Sequence, residues 1–302
     1  MLIPIVTHPA YSFPFPGRHR FPMEKFSLLN AYLTEQGILA PRNTFRPGQA
    51  NLTIVHNAHC PAYIERFCRN SQSSQELRRM GLPWSEGLAK RTLISPNGTL
   101  LTAHLALNHG IACHLAGGTH HAHYDFASGF CIINDLAVTA KTLLAQGKIN
   151  KVLIFDCDVH QGDGTATILS DEPRAITCSI HCERNFPTQK AYSDYDVALA
   201  PNTGDDEYLT VIATTLKKLL DTERPELVIY DAGVDIFSHD PLGLLNISEA
   251  GICERDRLVF TLCKEKNIPV ATVIGGGYDD DRKALAKRHA LVVMQAHALW
   301  NK

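Results

Sequence analysis

Five short apolar runs along the chain each lead into a cluster of polar residues. The runs are rich in β-branched residues and lack polar alternation, which is typical of parallel strands that are buried on both faces. They lie at Ile111–Ala116, Lys151–Phe155, Ala175–Cys178, Leu227–Tyr230 and Ile268–Ile274. Between them, apolar residues recur at helical spacing, so the pattern predicts an α/β fold with a central, mostly parallel sheet and helices on both faces.

The polar clusters that follow these runs are expected to meet at one edge of the sheet. In open α/β sheets, ligands bind outside the carboxyl ends of the strands. The clusters are Gly117–His121, Asp156–Gly164, Ser179–His181, Asp231–Asp235 and Gly275–Tyr278. Because five such clusters coincide with five strand ends, we predict one composite site rather than several unrelated motifs.

The first third of the chain has the least regular pattern. A proline-rich loop at Pro14–Pro22 precedes a helix predicted from about Met23 to Gln36, and the polar stretch Arg69–Gly87 is expected to form a loop above the sheet. No linker, repeat or low-complexity tract divides the 302 residues. We therefore predict a single domain over residues 1–302.

Composition excludes several classes of function. The formal net charge of −2 argues against a surface for nucleic acid or an anionic membrane. No apolar stretch reaches the roughly 18 residues of a membrane span, and the first six residues read as a strand rather than a signal peptide. Nine cysteines without Cys-x-x-Cys pairs indicate reduced thiols and a cytoplasmic protein. The oligomeric state stays open.

Acidic residues and a histidine after the second and fourth runs have the pattern of a metal site. Asp158 and His160 are two residues apart, and residues two apart on a strand point to the same face. Asp156 shares that face, as a partner of these ligands or a ligand of another cation, and Asp235 supplies a third ligand from another strand. Two carboxylates and one imidazole suit Zn²⁺, or alternatively Fe²⁺. A turn in which the aspartates cap a helix is the structural alternative.

The remaining polar clusters carry groups suited to proton transfer and oxyanion stabilisation. A histidine of the pair His120 and His121, held by a buried carboxylate, is a competent general base near neutral pH. Tyr278 follows three glycines, and its hydroxyl is suited to donate a hydrogen bond to a developing oxyanion. Taken singly, the histidine pair also fits an exposed loop and Tyr278 fits packing at the rim.

Together these residues resemble the zinc-dependent histone deacetylases, which have the three-layer αβα arginase–deacetylase fold, and most closely the class IV branch and related bacterial proteins. The matching strings occur in order along nearly the whole chain, at residues 117–122, 128–135, 156–164, 179–181, 235–241 and 275–278. The resemblance implies a hydrolase that removes acyl groups from lysine.

The resemblance also implies a catalytic role for five residues. His121 would be the general base that deprotonates water and later protonates the leaving amine. His120 would help to stabilise the tetrahedral intermediate, with Asp156 as its hydrogen-bond partner. Asp163 would orient His121, and Tyr278 would polarise the scissile carbonyl. Carboxylates in such positions fix the tautomer of the histidine that they contact.

Two ion sites follow from the same resemblance. Asp158, His160 and Asp235 would bind zinc. A monovalent cation, K⁺ or Na⁺, would lie nearby, with Ser179 and backbone oxygens near Asp156, Asp158 and His160 as its ligands.

The resemblance further implies a channel for the acyl-lysine. Phe130 and Phe186 would flank this channel, and Gly129 would accept a hydrogen bond from the substrate amide. Leu242 stands where relatives that prefer polyamines have an acidic residue. Thr119 stands where many relatives have a large aromatic residue beneath the metal, which predicts a roomier floor.

The sequence thus predicts a metal-dependent amidohydrolase that removes an acyl group, acetyl by resemblance, from the lysine side chain of a protein or peptide. A deacylase of small acylated amines or polyamines is the first alternative, because no clear counterpart of the family's rim aspartate occurs around residues 83–86. A binuclear ureohydrolase would need a second set of bridging ligands. An inactive module that binds acyl-lysine is the non-enzymatic alternative. Direct contact with nucleic acid or membrane is not expected.

Overall fold

Eight parallel strands form one sheet in this computed structural model, which describes residues 2–300. In chain order, β1 to β8 span Ile5–Val6, Thr44–Phe45, Ile111–His114, Val152–Asp156, Ala175–Cys182, Tyr195–Leu199, Leu227–Asp231 and Val270–Val273. Their order across the sheet is β2-β1-β3-β8-β7-β4-β5-β6, and all pairings are parallel. In this register Asp156 lies between Asp231 of β7 and Ser179 of β5.

Helices cover both faces of the sheet, which makes three layers. Within the described residues, α1 to α10 span Lys25–Glu35, Leu52–Val55, Pro61–Cys68, Ser74–Met80, Glu86–His109, Asp135–Ala145, Asp163–Leu169, Asp205–Thr222, Glu249–Glu265 and Arg282–Trp300. On one face α1, α8, α9 and α10 pack in a row, and on the other α5 packs on α6 and α6 on α7. The predicted three-layer αβα fold is confirmed.

The two helix layers explain why the central strands are apolar throughout. Alternate residues of β4 enter different cores: Leu153 and Phe155 pack on one face, and Val152 and Ile154 pack on the other. All four are buried, and full burial of side chains this size contributes roughly 1.5–3 kcal/mol each. Polar alternation therefore disappears in β4, whereas the residues of the edge strand β6 alternate between exposed and half-buried or buried.

The first third of the chain is more helical than its pattern predicts. The stretch expected to be a loop at 69–87 contains α4, which begins with a capping box between Ser73 and Glu76. It is followed by the 24-residue helix α5, which was not predicted and which contains Pro96. Proline normally interrupts a helix because it lacks an N–H and crowds the preceding turn. Burial of α5 against four strands offsets that cost.

The third predicted run is longer than expected. β5 continues to Cys182, so the polar cluster Ser179–His181 lies inside the strand rather than beyond its end. The pairing of this segment with β6 explains the difference, since residues 178–182 each have a partner in β6.

A single sheet draws its strands from both halves of the chain, so we propose one domain over residues 1–302. Residues 1, 301 and 302 of that prediction lie outside the described residues. Between residues 2 and 300, no helix is long and apolar enough to cross a membrane.

Candidate active site

The loop between β4 and α7 carries two of the predicted metal ligands. Asp158 and His160 were predicted to lie on the face of a strand. That prediction was wrong, because β4 ends at Asp156. Side chains fold the loop instead: Asp156 Oδ1 accepts from the N–H of Asp158, and Asp158 Oδ1 accepts from the N–H of His160, both at 3.0 Å. These bonds direct the Asp158 and His160 side chains toward the same point. The two side chains therefore converge as predicted, although they lie in a loop and not on a strand.

Asp158, His160 and Asp235 form a compact, buried cluster. Their ligand atoms all lie within 4.8 Å of one another. His160 Nδ1 is 3.0 Å from Asp158 Oδ1 and 3.1 Å from Asp235 Oδ2. The second oxygen of each carboxylate is held by the backbone, Asp158 Oδ2 by the N–H of Gly276 and Asp235 Oδ1 by the N–H of Val159. The orientation of both carboxylates is thus set by the protein.

The cluster fits a divalent transition metal. Burial would lower the pKa of His160, but Asp158 and Asp235 outweigh it and raise that pKa to about 10. Burial and the neighbouring Asp158 raise the pKa of Asp235. The site therefore has an excess of negative charge that a cation would neutralise. Glycine is needed at position 276 because a Cβ there would come within 2.1 Å of Asp235 Oδ2 and would crowd the cluster. Carboxylate and imidazole ligands in this number suit Zn²⁺.

The adjacent histidines His120 and His121 are held by different carboxylates. His120 Nδ1 lies 2.7 Å from Asp156 Oδ2, and His121 Nδ1 lies 2.6 Å from Asp163 Oδ1. Burial opposes protonation of His120, but Asp156 and Asp158 raise its pKa well above the usual value. Burial and the charge of His120 lower the pKa of His121 to about 4. Two neighbours in sequence are therefore set to opposite protonation states.

A third histidine also contacts Asp163, although its sequence context indicated no role. His123 Nε2 lies 3.1 Å from Asp163 Oδ2, so both carboxylate oxygens are engaged by imidazoles. This leaves the carboxylate little freedom to rotate and keeps Oδ1 directed at His121. No local motif around His123 indicated this contact.

Tyr278 lies at the inner side of the pocket and is held through its backbone. Its N–H donates to Asp240 Oδ2 at 2.7 Å, and the N–H of Leu242 donates to Asp240 Oδ1 at 2.9 Å. The preceding Gly277 has a backbone φ of 154°, which residues other than glycine rarely adopt. Burial, followed by Asp235 and Asp158, raises the pKa of Tyr278 well above its usual value. The phenol therefore stays protonated and able to donate.

A cavity of about 440 Å³ is lined by the metal cluster, both adjacent histidines and Tyr278. It is lined by the four residues expected at the acyl-lysine channel, which are Gly129, Phe130, Phe186 and Leu242. The Phe186 ring lies 4.8 Å from that of His121 and is 44% exposed at the mouth. The Phe130 ring lies 6.0 Å from that of Tyr278. Gly129 allows close approach, because a Cβ there would lie 2.6 Å from His121 Cδ2.

A second acidic cluster lies behind His120. His120, Asp156 and Asp231 have ligand atoms within 4.8 Å of one another. Both carboxylate oxygens of Asp231 are buried without a hydrogen-bond partner, and burial together with Asp156 raises its pKa well above the usual value. In the part of the chain that the structure describes, the two clusters share no residue. Ser179, expected at a monovalent cation, pairs through Oγ with His181 Nδ1 at 3.0 Å.

A buried arginine supports the loops of the metal cluster from behind. Arg255 of α9 is fully buried and pairs with Asp256 at 2.9 Å. Its Nη1 donates to the carbonyl of Gly233 at 2.6 Å, and its Nη2 to that of Ala232 at 3.3 Å. These carbonyls follow β7 and precede Asp235, so Arg255 satisfies acceptors that the sheet leaves free. No sequence pattern identified it.

The chain matches a family model and several known proteins along most of its length. The family model described as histone deacetylase domain matches residues 19–294. An uncharacterized protein of Picosynechococcus sp. is 47% identical over 300 residues, which cover 99% of this chain and 100% of that protein. Histone deacetylase 2 of Arabidopsis thaliana is 31% identical over 295 residues, 91% of this chain and 74% of that protein. The acetoin utilization protein AcuC of Staphylococcus aureus is 30% identical over 288 residues, 88% and 74% respectively.

Solved structures share the fold. The crystal structure of an HDAC homolog complexed with SAHA has a TM-score of 0.83 at 21% identity, over 98% of this chain and 85% of that chain. The HDA15 HD domain has a TM-score of 0.82 at 21% identity, over 99% and 89%. At this identity the likeness concerns the fold, and the chemistry rests on the residues described above.

Proposed function

Because the chain belongs to the histone deacetylase domain family, we propose that it is a metal-dependent deacylase acting on the acylated side-chain amine of lysine in a protein or peptide. Acetyl is the acyl group that the family implies. One observation carries the proposal: the cluster of Asp158, His160 and Asp235 lines the same cavity as His121 and Tyr278. A metal site, a base and an oxyanion donor thus face one volume.

The residues of the cluster would hold the ion, and the neighbouring histidines would move the proton. A Zn²⁺ ion held by Asp158, His160 and Asp235 would acidify water and polarise the acyl carbonyl. His121 is neutral at pH 7 because its pKa is lowered to about 4. Asp163 accepts from its Nδ1, which leaves the Nε2 lone pair free to take a proton from water and return it to the leaving amine.

Charge that develops on the carbonyl oxygen would be stabilised by two donors of the protein. His120 beside Asp156 stays protonated, so it supplies a fixed positive charge next to the reacting group. The Tyr278 phenol donates a hydrogen bond to the oxyanion as water adds. Donors preorganised in a buried site stabilise the transition state more than the ground state.

Small acylated amines are the alternative substrates at the same site. Leu242, at the cavity lining, cannot pair with a distant ammonium group, which disfavours polyamines. For a binuclear ureohydrolase, both metals would need shared ligands, and the two clusters found among residues 2–300 share none. A K⁺ or Na⁺ ion near Ser179, Fe²⁺ in place of zinc, and a cytoplasmic location stay predictions from the sequence.

Turnover of an acetyl-lysine peptide tests the proposal. Purified protein is stripped with a chelator, reloaded with Zn²⁺ or Fe²⁺, and assayed for release of free lysine, with N-acetylputrescine as the competing substrate. We expect activity that is lost on stripping, restored by one metal ion per chain, and greater toward the peptide. Absence of turnover of any acylated amine by the reloaded protein would refute the proposed function.

A further inference from the structure

Two buried cations lie at the inner end of the active-site cavity. Lys25 comes from α1 and Arg91 from α5, and they are only 2% and 6% exposed. Both line the cavity together with the metal cluster and Tyr278. They come from helices in the least regular part of the chain, far in sequence from every motif of the proposed mechanism.

Neither cation is in direct contact with a carboxylate among the described residues. Lys25 Nζ contacts two neutral acceptors, the carbonyl of Gly275 at 3.3 Å and His289 Nε2 at 3.2 Å. The Arg91 guanidinium lies 4.6 Å from the Phe26 ring, and its buried Nε has no hydrogen-bond partner. Neither Lys25 nor Arg91 takes part in an ion pair among residues 2–300. A buried charge without a partner is costly, so a group of opposite charge would be strongly stabilised there.

The charge of the cavity lining as a whole favours an anion away from the metal. The acidic lining residues are the metal-cluster carboxylates Asp158 and Asp235, and the other charged lining residues are Arg20, Lys25, Arg91 and Arg184. Burial lowers the pKa of Lys25 to about 8 and that of Arg91 to about 10. Asp235 opposes the shift of Lys25 and Asp135 that of Arg91, but in each case burial outweighs the nearby negative charge.

The cavity that both cations line has a volume of about 440 Å³, which is more than an acetyl group fills. The Thr119 side chain is small and is held at Asp135 Oδ1 and the carbonyl of Ile133, both at 2.5 Å. A small crevice between Arg91, Thr119 and Phe130 adjoins this side of the pocket. An acyl chain that extends past the metal would therefore approach the Arg91 guanidinium.

We propose that Arg91 and Lys25 form a carboxylate-binding subsite, and that the substrate is a lysine carrying a short dicarboxylic acyl group such as succinyl or glutaryl. The proposal rests on the proposed function and narrows its substrate class. The amide carbonyl lies at the metal cluster and the distal carboxylate reaches the two cations. A charge-assisted pair of this kind is bidentate when arginine is the donor.

The reaction balances as a simple hydrolysis. The oxygen of water forms a bond to the acyl carbon, and the bond between that carbon and the lysine nitrogen breaks. The amine leaves with a proton as an ammonium group, and the acyl group leaves as a dicarboxylate with two negative charges. No oxidant, reductant or further reactant is needed.

Two acyl groups of equal shape give the sharpest test. Peptides bearing succinyl-lysine and 4-methylpentanoyl-lysine differ in that two methyl groups replace the carboxylate oxygens. For the zinc-loaded wild type we expect kcat/KM to favour succinyl by at least about tenfold, since one charged hydrogen-bonded contact is worth about that factor. Arg91→Met and Lys25→Met should each lower this ratio about 10- to 100-fold, and Arg91→Lys should retain part of it.

A matched surface variant separates the subsite from general charge effects. Arg257 pairs with Glu254 on the exposed side of α9, so Arg257→Met should leave the succinyl ratio unchanged. Thermal unfolding of each variant shows whether it is folded. A wild type that prefers the neutral isostere or acetyl, or an Arg91→Met variant with an unchanged ratio, would overturn the proposal while leaving the proposed deacylase intact.

Binding by metal-free protein provides a readout that does not depend on turnover. Calorimetric titration with succinate should show binding that Arg91→Met weakens at least about tenfold, with acetate binding more weakly than succinate. If acetate and succinate bind alike and succinyl-lysine has no advantage, the cations serve the released product and the substrate proposal fails. If no acylated lysine is turned over, the proposed function fails, and equal binding of succinate by wild type and Arg91→Met would then refute the subsite.

Discussion

Two walls of one cavity carry opposite charges: an acidic wall with Asp158 and Asp235, and a basic floor with Lys25 and Arg91. On one wall, Asp158 and Asp235 meet at His160 with more negative charge than the single imidazole can balance. On the floor, Lys25 and Arg91 form no ion pair with any of residues 2–300, and Asp235 and Asp158 act on the charge of Lys25 only beyond contact distance. Unpaired buried charge destabilises a folded protein. A metal cation would therefore stabilise the acidic wall, and an anionic group would stabilise the basic floor.

The walls also differ in how firmly they are held. The acidic wall is built from strand-end loops, and backbone N–H groups of Val159 and Gly276 fix its carboxylates. The basic floor is built from two helices, and its cations lie beside aromatic rings such as Phe26. A metal site needs fixed ligand geometry, whereas a long cation on a flexible stem can adjust to acyl chains of different length.

Removal of a ligand from the acidic wall should have the largest effect. Asp235→Ala deletes one of the three proposed metal ligands and leaves the N–H of Val159 without its acceptor. We expect less than one tenth of the wild-type metal content after dialysis, and kcat/KM lower by more than about 100-fold, since even partners of ligands cost 10–100-fold. Elemental analysis and peptide turnover measure both. Exposed Asp221 supplies the control, Asp221→Ala, and substantial metal in Asp235→Ala would contradict the assignment.

Tyr278 faces the acidic wall without binding the metal, so its loss should spare metal binding. Tyr278→Phe removes one oxyanion donor, and we expect kcat to fall about 10²–10³-fold while KM and metal content change little. Steady-state kinetics on metal-loaded protein checks this. A kcat near that of wild type would leave Tyr278 with only a packing role in the cavity lining.

The pH profile tests the opposite settings of His120 and His121. Burial and the positive charge of His120 lower the pKa of His121, so the neutral, basic form persists to lower pH than for an ordinary histidine. The acidic limb of kcat/KM should therefore fall below pH 6.5. His120→Gln removes that positive charge and should move the limb upward. A limb above pH 6.5 in the wild type, or no movement in the variant, would count against His121 as the base.

Neutralising a surplus carboxylate of the second acidic cluster, that of His120, Asp156 and Asp231, should stabilise the protein. Burial and Asp156 raise the pKa of Asp231, so the folded state retains a proton that the unfolded chain releases above its usual pKa. The free energy of unfolding therefore falls as pH rises from that usual value toward the folded-state pKa. Asp231→Asn should raise the Tm of chelator-treated protein at pH 7 by about 2–4 °C, with a smaller gain near pH 4. A Tm of Asp231→Asn below that of wild type at pH 7 would contradict this expectation and would indicate that the charged Asp231 carboxylate stabilises the fold.

An acid added at the mouth should have the smallest effect. Leu242 lines the cavity near exposed Phe186 and Leu244, where solvent screens charges. Leu242→Glu should raise turnover of acetylpolyamine relative to acetyl-lysine peptide by about 2–5-fold, the value of an exposed ion pair. Leu242→Gln has a similar size without the charge and serves as the control. An equal gain in both variants would assign the effect to polarity.

The sequence alone determined the fold class and the acidic wall, because both depend on local patterns. Apolar runs without polar alternation identify strands that helices cover on both faces, and ligands follow such strands at their carboxyl ends. Asp158, His160 and Asp235 were therefore found together, even though the first two lie in a loop beyond β4 rather than on its face. The extension of β5 through Ser179 was missed, since its pairing with β6 is not a local property.

Only the tertiary structure decided the basic floor and the supports of the site. Lys25 Nζ reaches the carbonyl of Gly275 across 250 residues of sequence, and Arg91 belongs to a helix that its internal proline concealed. Asp240 and Arg255 likewise act on backbone groups of distant segments. The periodicity of apolar residues along a strand shows which residues of that strand are buried. Which cation faces a cavity, or which carbonyl a buried arginine meets, depends on how separate helices pack, and no local pattern encodes that.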